Sequence, residues 1–123
     1  MRITIFLVLI SSFFSNVYAG QLIASWYSVE SLHKDGQWSI TKGVCADGSQ
    51  FKDEAFTCAM WGYSLGTYVK ITSIATKKWV VCRVNDRIGR RFAGKRIDLA
   101  PAAFKAIAPL SQGIVLVKVE VMK

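Results

Sequence analysis

The chain has 123 residues, 52% of them hydrophobic, with 16 Lys and Arg against 8 Asp and Glu for a formal charge of +8. That length holds one domain and excludes an α/β barrel of about 250 residues. Abundant aliphatic residues beside a charged fraction of 20% exclude a disordered basic tail.

In chain order, residues 1–19 read as a secretory signal. Arg2 supplies the charged start, ITIFLVLI the apolar core, and Val17 and Ala19 the small residues before a cleavage at Gly20. The apolar stretch Ile3 to Phe14 falls short of the roughly 20 residues a membrane span needs. The mature domain is expected at residues 20–123, exported to the periplasm or secreted as a soluble monomer. Loss of Arg2 leaves 15 basic against 8 acidic side chains, a balance suited to anionic partners; export disfavours nucleic acid.

The segments QLIASWY, TYVKITSI, KKWVVCRV and GIVLVKVEV are rich in β-branched and aromatic residues and read as strands. In TYVKITSI and IVLVKVEV, apolar and polar residues alternate, as a strand with one face on a core requires. Trp26 and Tyr27 are successive, so one faces in and the other out. SLHKDGQW, with the single histidine His33, reads as a polar, exposed insertion, and Trp79 as a packed residue. PAAFKAI predicts one short helix, with Pro101 at its first position, Ala103 or Phe104 sharing a face with Ile107, and Pro109 ending it. Closure into a small mainly β barrel removes the edges that so much strand would otherwise expose.

Three cysteines, Cys45, Cys58 and Cys82, allow one disulfide in an oxidising compartment, and the sequence alone leaves the pairing open. Cys45 with Cys58 is the preferred bridge, because closing that short loop is worth roughly 3 kcal/mol in the chain-entropy model. The spacing offers no C-x-x-C pair and His33 is distant in sequence, so no metal is expected, and no cofactor. Arg83 to Arg96 carries six basic residues against the single acidic Asp86 before Asp98. Such a cluster suits carboxylates held through arginine forks.

ASWY, ADGSQF, FTCAM, LGTYVKIT, VVCRVNDR and KRIDLAPAAF occur in the order seen in rare lipoprotein A, whose domain this chain resembles over nearly all of residues 20–123. The resemblance implies a six-stranded double-psi β-barrel with one or two short helices, a fold shared with expansins and barwin-like proteins. It also implies action on, or binding to, peptidoglycan glycan strands. The family includes lytic transglycosylases, and relatives that hold wall polysaccharide without cutting it.

Carried over residue by residue, the resemblance makes Asp86, the acidic residue of VNDR, the catalytic acid and base. It makes Tyr27, Ser49, Met60, Arg87 and Asp98 substrate-binding residues. Two positions depart from the family pattern: Ser49 stands where a glutamate is expected and Met60 where a histidine is. Neither titrates, which favours a non-catalytic, expansin-like binding module as the alternative. The flanking Arg83 and Arg87 are expected to hold Asp86 ionised, and Ala100 lacks the side-chain oxygen of a helix cap. Carboxylates of peptidoglycan stem peptides are the anions expected on the arginine-rich segment.

Overall fold

A computed structural model describes residues 21–123. The signal segment and the boundary at Gly20 lie outside these residues. The elements are β1 (Gln21–Trp26), α1 (Val29–Lys34), α2 (Gln37–Thr41), β2 (Thr57–Ala59), β3 (Tyr68–Ser73), β4 (Trp79–Asp86), β5 (Arg96–Leu99), α3 (Pro101–Lys105) and β6 (Val115–Val121). Single 3₁₀ turns form at Arg90–Phe92 and Leu110–Gln112.

The six strands close into a barrel in the order β1-β5-β2-β4-β3-β6. β1 with β5 and β2 with β4 are parallel, and the other pairs are antiparallel. Closure gives each of the six strands a neighbour on both sides.

Alternation decides what fills the barrel. Val69, Ile71 and Ser73 of β3 and Val115, Val117 and Val119 of β6 are buried, whereas Lys70, Lys118 and Glu120 project outward. Phe104 of α3 and Ile107, just beyond its end, plug the barrel. Burial of each such side chain is worth roughly 1.5–3 kcal/mol. α3 begins at Pro101 as expected, and its cap residue Ala100 makes no side-chain hydrogen bond.

Two expectations are corrected by the packing. The Cys45–Cys58 disulfide is absent, and all three cysteines are buried free thiols. Cys58 and Cys82 face the barrel core, while Cys45 belongs to a separate cluster with Phe51 and Ala100, so the two residues of the expected bridge pack into different apolar units. Trp79 is not packed: the residue is 57% exposed on the outer barrel face, with the Lys70 ammonium 4.7 Å from its ring centroid.

The polar insertion forms two helices rather than a loop. Ser28 caps α1 through a reciprocal pair of bonds with Ser31, and the Asp53 carboxylate accepts the Val29 N–H at 2.8 Å. Val29 and Leu32, on one helical face, pack on the Cys45–Phe51–Ala100 cluster. His33 is exposed, stacked on Trp38 with centroids 4.4 Å apart. Gly43 is required by contact as well as by its φ of 75°, because a Cβ there would lie 2.5 Å from the Trp38 ring.

Candidate active site

The site begins with a break in the alternation of β4. Val80, Cys82 and Val84 face the barrel interior, and strict period-two alternation would send Asp86 inside with them. The register prevents it. Cys58 of β2 pairs with Val84, but the next residue, Ala59, pairs with Asp86, leaving Asn85 as an extra residue. This bulge reverses the parity of the strand end, so Asp86 shares the outward face with Ala59.

Ala59 also pairs with Asp98 of β5, and Asp98 with Ser25 of β1. Asp86, Ala59, Asp98 and Ser25 therefore form one row across four adjacent strands. With strands about 4.8 Å apart, the backbones of the two aspartates are separated by about 10 Å, with only the Ala59 methyl between them. A groove of about 430 Å³ runs over this row. Its opposite wall comes from α1, α2 and the turn between them, through residues including Leu32, Asp35 and Gln37.

Asp86 is positioned by backbone. Its Oδ1 accepts the Ala46 N–H at 3.0 Å and the Arg87 N–H at 2.9 Å, and neither bond involves Oδ2. The flanking arginines do not wall it in. Arg83 turns away to Asp47, with Nη1 2.7 Å from Oδ2. Arg87 donates from Nη1 to the Met60 and Tyr63 carbonyls, both at 2.7 Å. Among the described residues Asp86 forms no ion pair.

Tyr27 reaches the same groove, its ring stacked on Phe51 with centroids 4.4 Å apart. Its hydroxyl is buried and has no hydrogen-bond partner. Burial first, and then the Asp86 carboxylate, push the phenol well above its ordinary pKa, so it is a permanent O–H donor. Trp26 takes the other side, against the barrel core, and donates its indole N–H to the Leu110 carbonyl at 3.0 Å.

Asp98 is held more tightly. Its Oδ1 accepts the Ser25 hydroxyl and lies 3.7 Å from Arg96 Nε, which also donates to Ser25 Oγ at 3.1 Å. This network ties β1 to β5 in the floor of the groove.

Neither Ser49 nor Met60, both expected at the substrate, lines the groove. Met60 is 2% exposed, with its thioether in the barrel core. Ser49 donates through its hydroxyl and its backbone N–H to Asp47 Oδ1, outside the groove lining. The Ser49 bond foremost, with help from Arg83, holds Asp47 down at about 2.

Behind the wall, Asn85 Nδ2 reaches Cys45 Sγ at 3.6 Å and Ser49 Oγ at 3.5 Å. Burial and the nearby Asp86 push the Cys45 thiol up to about 11, so it stays protonated and is no nucleophile. Among the described residues no three His, Cys, Asp or Glu side chains are grouped to hold a metal ion.

The double-psi β-barrel family described as lytic transglycolase matches residues 19–119. The chain belongs to this family. Similar family members include the probable endolytic peptidoglycan transglycosylase RlpA of Synechocystis sp., 36% identical over 101 residues covering 82% of this chain and 28% of that protein. The endolytic peptidoglycan transglycosylase RlpA of Pasteurella multocida is 32% identical over 106 residues, covering 86% of this chain and 33% of that protein. This lytic transglycolase-family chain thus spans no more than about a third of the length of those relatives.

Solved structures share the fold. A Clavibacter michiganensis expansin in complex with cellohexaose has a TM-score of 0.59 at 19% identity, covering 85% of this chain and 50% of that one. The Streptomyces papain inhibitor has a TM-score of 0.56 at 20% identity, covering 82% and 91%. A carbohydrate-bound protein and a protease inhibitor on one barrel show that the fold does not decide activity; the site must.

Sequence reasoning missed the α1–α2 wall. The S-x-x-S pattern at Ser28 and the Val29/Leu32 spacing signal a capped amphipathic turn there.

Proposed function

We propose that this family member is exported as a monomer to the periplasm or beyond the cell and cleaves peptidoglycan glycan strands by lytic transglycosylation, with Asp86 as the single acid and base. The observation that carries this reading is the placement of Asp86: turned out of the barrel by the Asn85 bulge, fixed through Oδ1 alone, and open to a groove whose far wall is helical.

The chemistry needs one carboxyl. In its protonated form Asp86 donates to the glycosidic oxygen, and the bond from that oxygen to the anomeric carbon breaks. The 6-hydroxyl of the same muramic acid residue closes onto the anomeric carbon, and the carboxylate takes its proton. The proton count is restored and an anhydro sugar end is left. Hydrolysis by two carboxylates at a set separation is a different arrangement. Tyr27 supplies a donor to a sugar oxygen, and Asp98, braced by Ser25 and Arg96, shapes the neighbouring subsite.

A second reading, a non-catalytic wall-binding module, is favoured by Ser49 and Met60: one is engaged with Asp47 and the other is core, so neither assists Asp86. Incubation of the purified chain with peptidoglycan sacculi separates the readings. Release of anhydro-muropeptides, reduced at least about a hundredfold in Asp86→Asn, is the expected result. Pelleting with sacculi and no release establishes the binder, and failure to pellet refutes both.

A further inference from the structure

We infer that the groove rim built by Trp61, Arg90 and Arg91 is an anion subsite that holds a carboxylate of the strand lying over Asp86; this rests on the glycan reading above.

Six basic residues lie between Arg83 and Arg96, but the fold gives them different work. Arg83 is paired with Asp47 and Arg96 with Asp98. Arg87 is spent on the Met60 and Tyr63 carbonyls. Arg90, Arg91 and Lys95 are exposed and have no acidic partner among the described residues.

Two of these free cations are not loose. The 3₁₀ turn at Arg90–Phe92 places the Arg90 guanidinium carbon 4.7 Å from the centroid of Trp61 and that of Arg91 4.7 Å from the centroid of Phe92. Trp61 is anchored by its indole N–H on the Ile88 carbonyl at 2.8 Å, and it also carries Arg87 at 4.9 Å. A guanidinium laid on an aromatic face loses rotamer freedom before any ligand arrives but keeps its N–H fork for one.

The crowding matters too. Arg87 and Arg90 share one indole, so their charges lie closer than the Debye length of about 10 Å at 0.1 M salt and repel without full screening. An anion beside them relieves that repulsion. The position is adjacent to the chemistry, since Arg87, Ile88, Gly89 and Phe92 all line the groove over Asp86 and Asp98. The groove thus pairs an acidic floor with a basic rim, a polarity that orients a strand carrying acidic substituents and has no use for a neutral one.

Carboxylates on such a strand come from the lactyl ether of a bare muramic acid or from a stem peptide. The test measures binding of the purified chain to soluble peptidoglycan strands, native or with carboxylates capped by carbodiimide coupling to an uncharged amine. Capping is expected to weaken wild-type binding about tenfold, the scale of one charge-assisted contact. R90Q/R91Q is expected to bind native strands only as well as wild type binds capped ones, and to be indifferent to capping. Equal sensitivity to capping in variant and wild type overturns the inference, as does a wild type indifferent to capping.

If R90Q/R91Q also loses capped strands, R90K/R91K replaces it. That variant keeps the charge and is expected to retain the preference for native strands, and loss of it overturns the inference. Strands stripped of stems by an amidase assign the source: a preference that survives stripping points to the lactyl carboxylate, one that vanishes to the stem. Failure here is distinct from failure of the cleavage reading, which is reported by anhydro-muropeptide release from Asp86→Asn.

Discussion

Tyr27→Phe separates stability from function at one atom. The Tyr27 hydroxyl is buried with no partner in the free protein, and the ring below it keeps its stack on Phe51 when the oxygen is removed. A buried polar group left unpaired costs about 1–3 kcal/mol, and the substitution removes that cost without opening a cavity under the ring. The variant is therefore expected to be more stable by about 1 kcal/mol, which for a domain of this size raises Tm by about 4–8 °C.

The same change removes an O–H donor from a residue that lines the groove with Asp86, so glycan cleavage or binding is expected to fall as stability rises. Urea unfolding with an unchanged m-value, beside muropeptide release from sacculi, measures both. A Tyr27→Phe protein destabilised by 1 kcal/mol or more would show that the hydroxyl is satisfied in the free protein, and the argument for it as a waiting donor would be refuted.

Other perturbations test the remaining structure. Asp47 is held near 2, below the ordinary 3.8, so its contribution is complete above about pH 5 and is lost progressively as pH falls through 2; Asp47→Asn is expected to flatten the Tm profile across that window, and an unchanged slope contradicts the pairing with Ser49 and Arg83. Deleting Asn85 leaves Asp86 directly after Val84, so plain alternation keeps the carboxylate outward opposite Ala59 while the Asp47 N–H loses the Asn85 carbonyl; the deletion is expected to fold cooperatively by circular dichroism, and loss of folding contradicts the reading of Asn85 as an extra residue in the strand. Native protein is expected to show no fast-reacting thiol toward a disulfide reagent and three after denaturation without reductant, whereas a single thiol after denaturation would reinstate a disulfide.

Local pattern made much of the barrel legible. The alternation in TYVKITSI and IVLVKVEV assigned inward and outward faces that the barrel retains, and Pro101 marked the start of α3, because side-chain parity and helix entry depend on a few consecutive residues. β2 and β5 escaped notice, since three- and four-residue strands are too short for a period to emerge from composition. The motifs around Tyr27, Asp86 and Asp98 marked which segments build the groove, but not how each side chain meets it.

Those roles belong to partners distant in the chain. Whether Asp86 faces the groove depends on Ala59 pairing past Asn85, a register between two strands that no stretch of β4 encodes by itself. Met60 enters the core because β2 ends there against the barrel, Cys45 is taken from Cys58 by a second apolar cluster, and Arg83 is taken from Asp86 by Asp47. Charge and chemistry can be read along a chain, whereas which charge meets which is settled by the register and packing of segments that touch only once the barrel has closed.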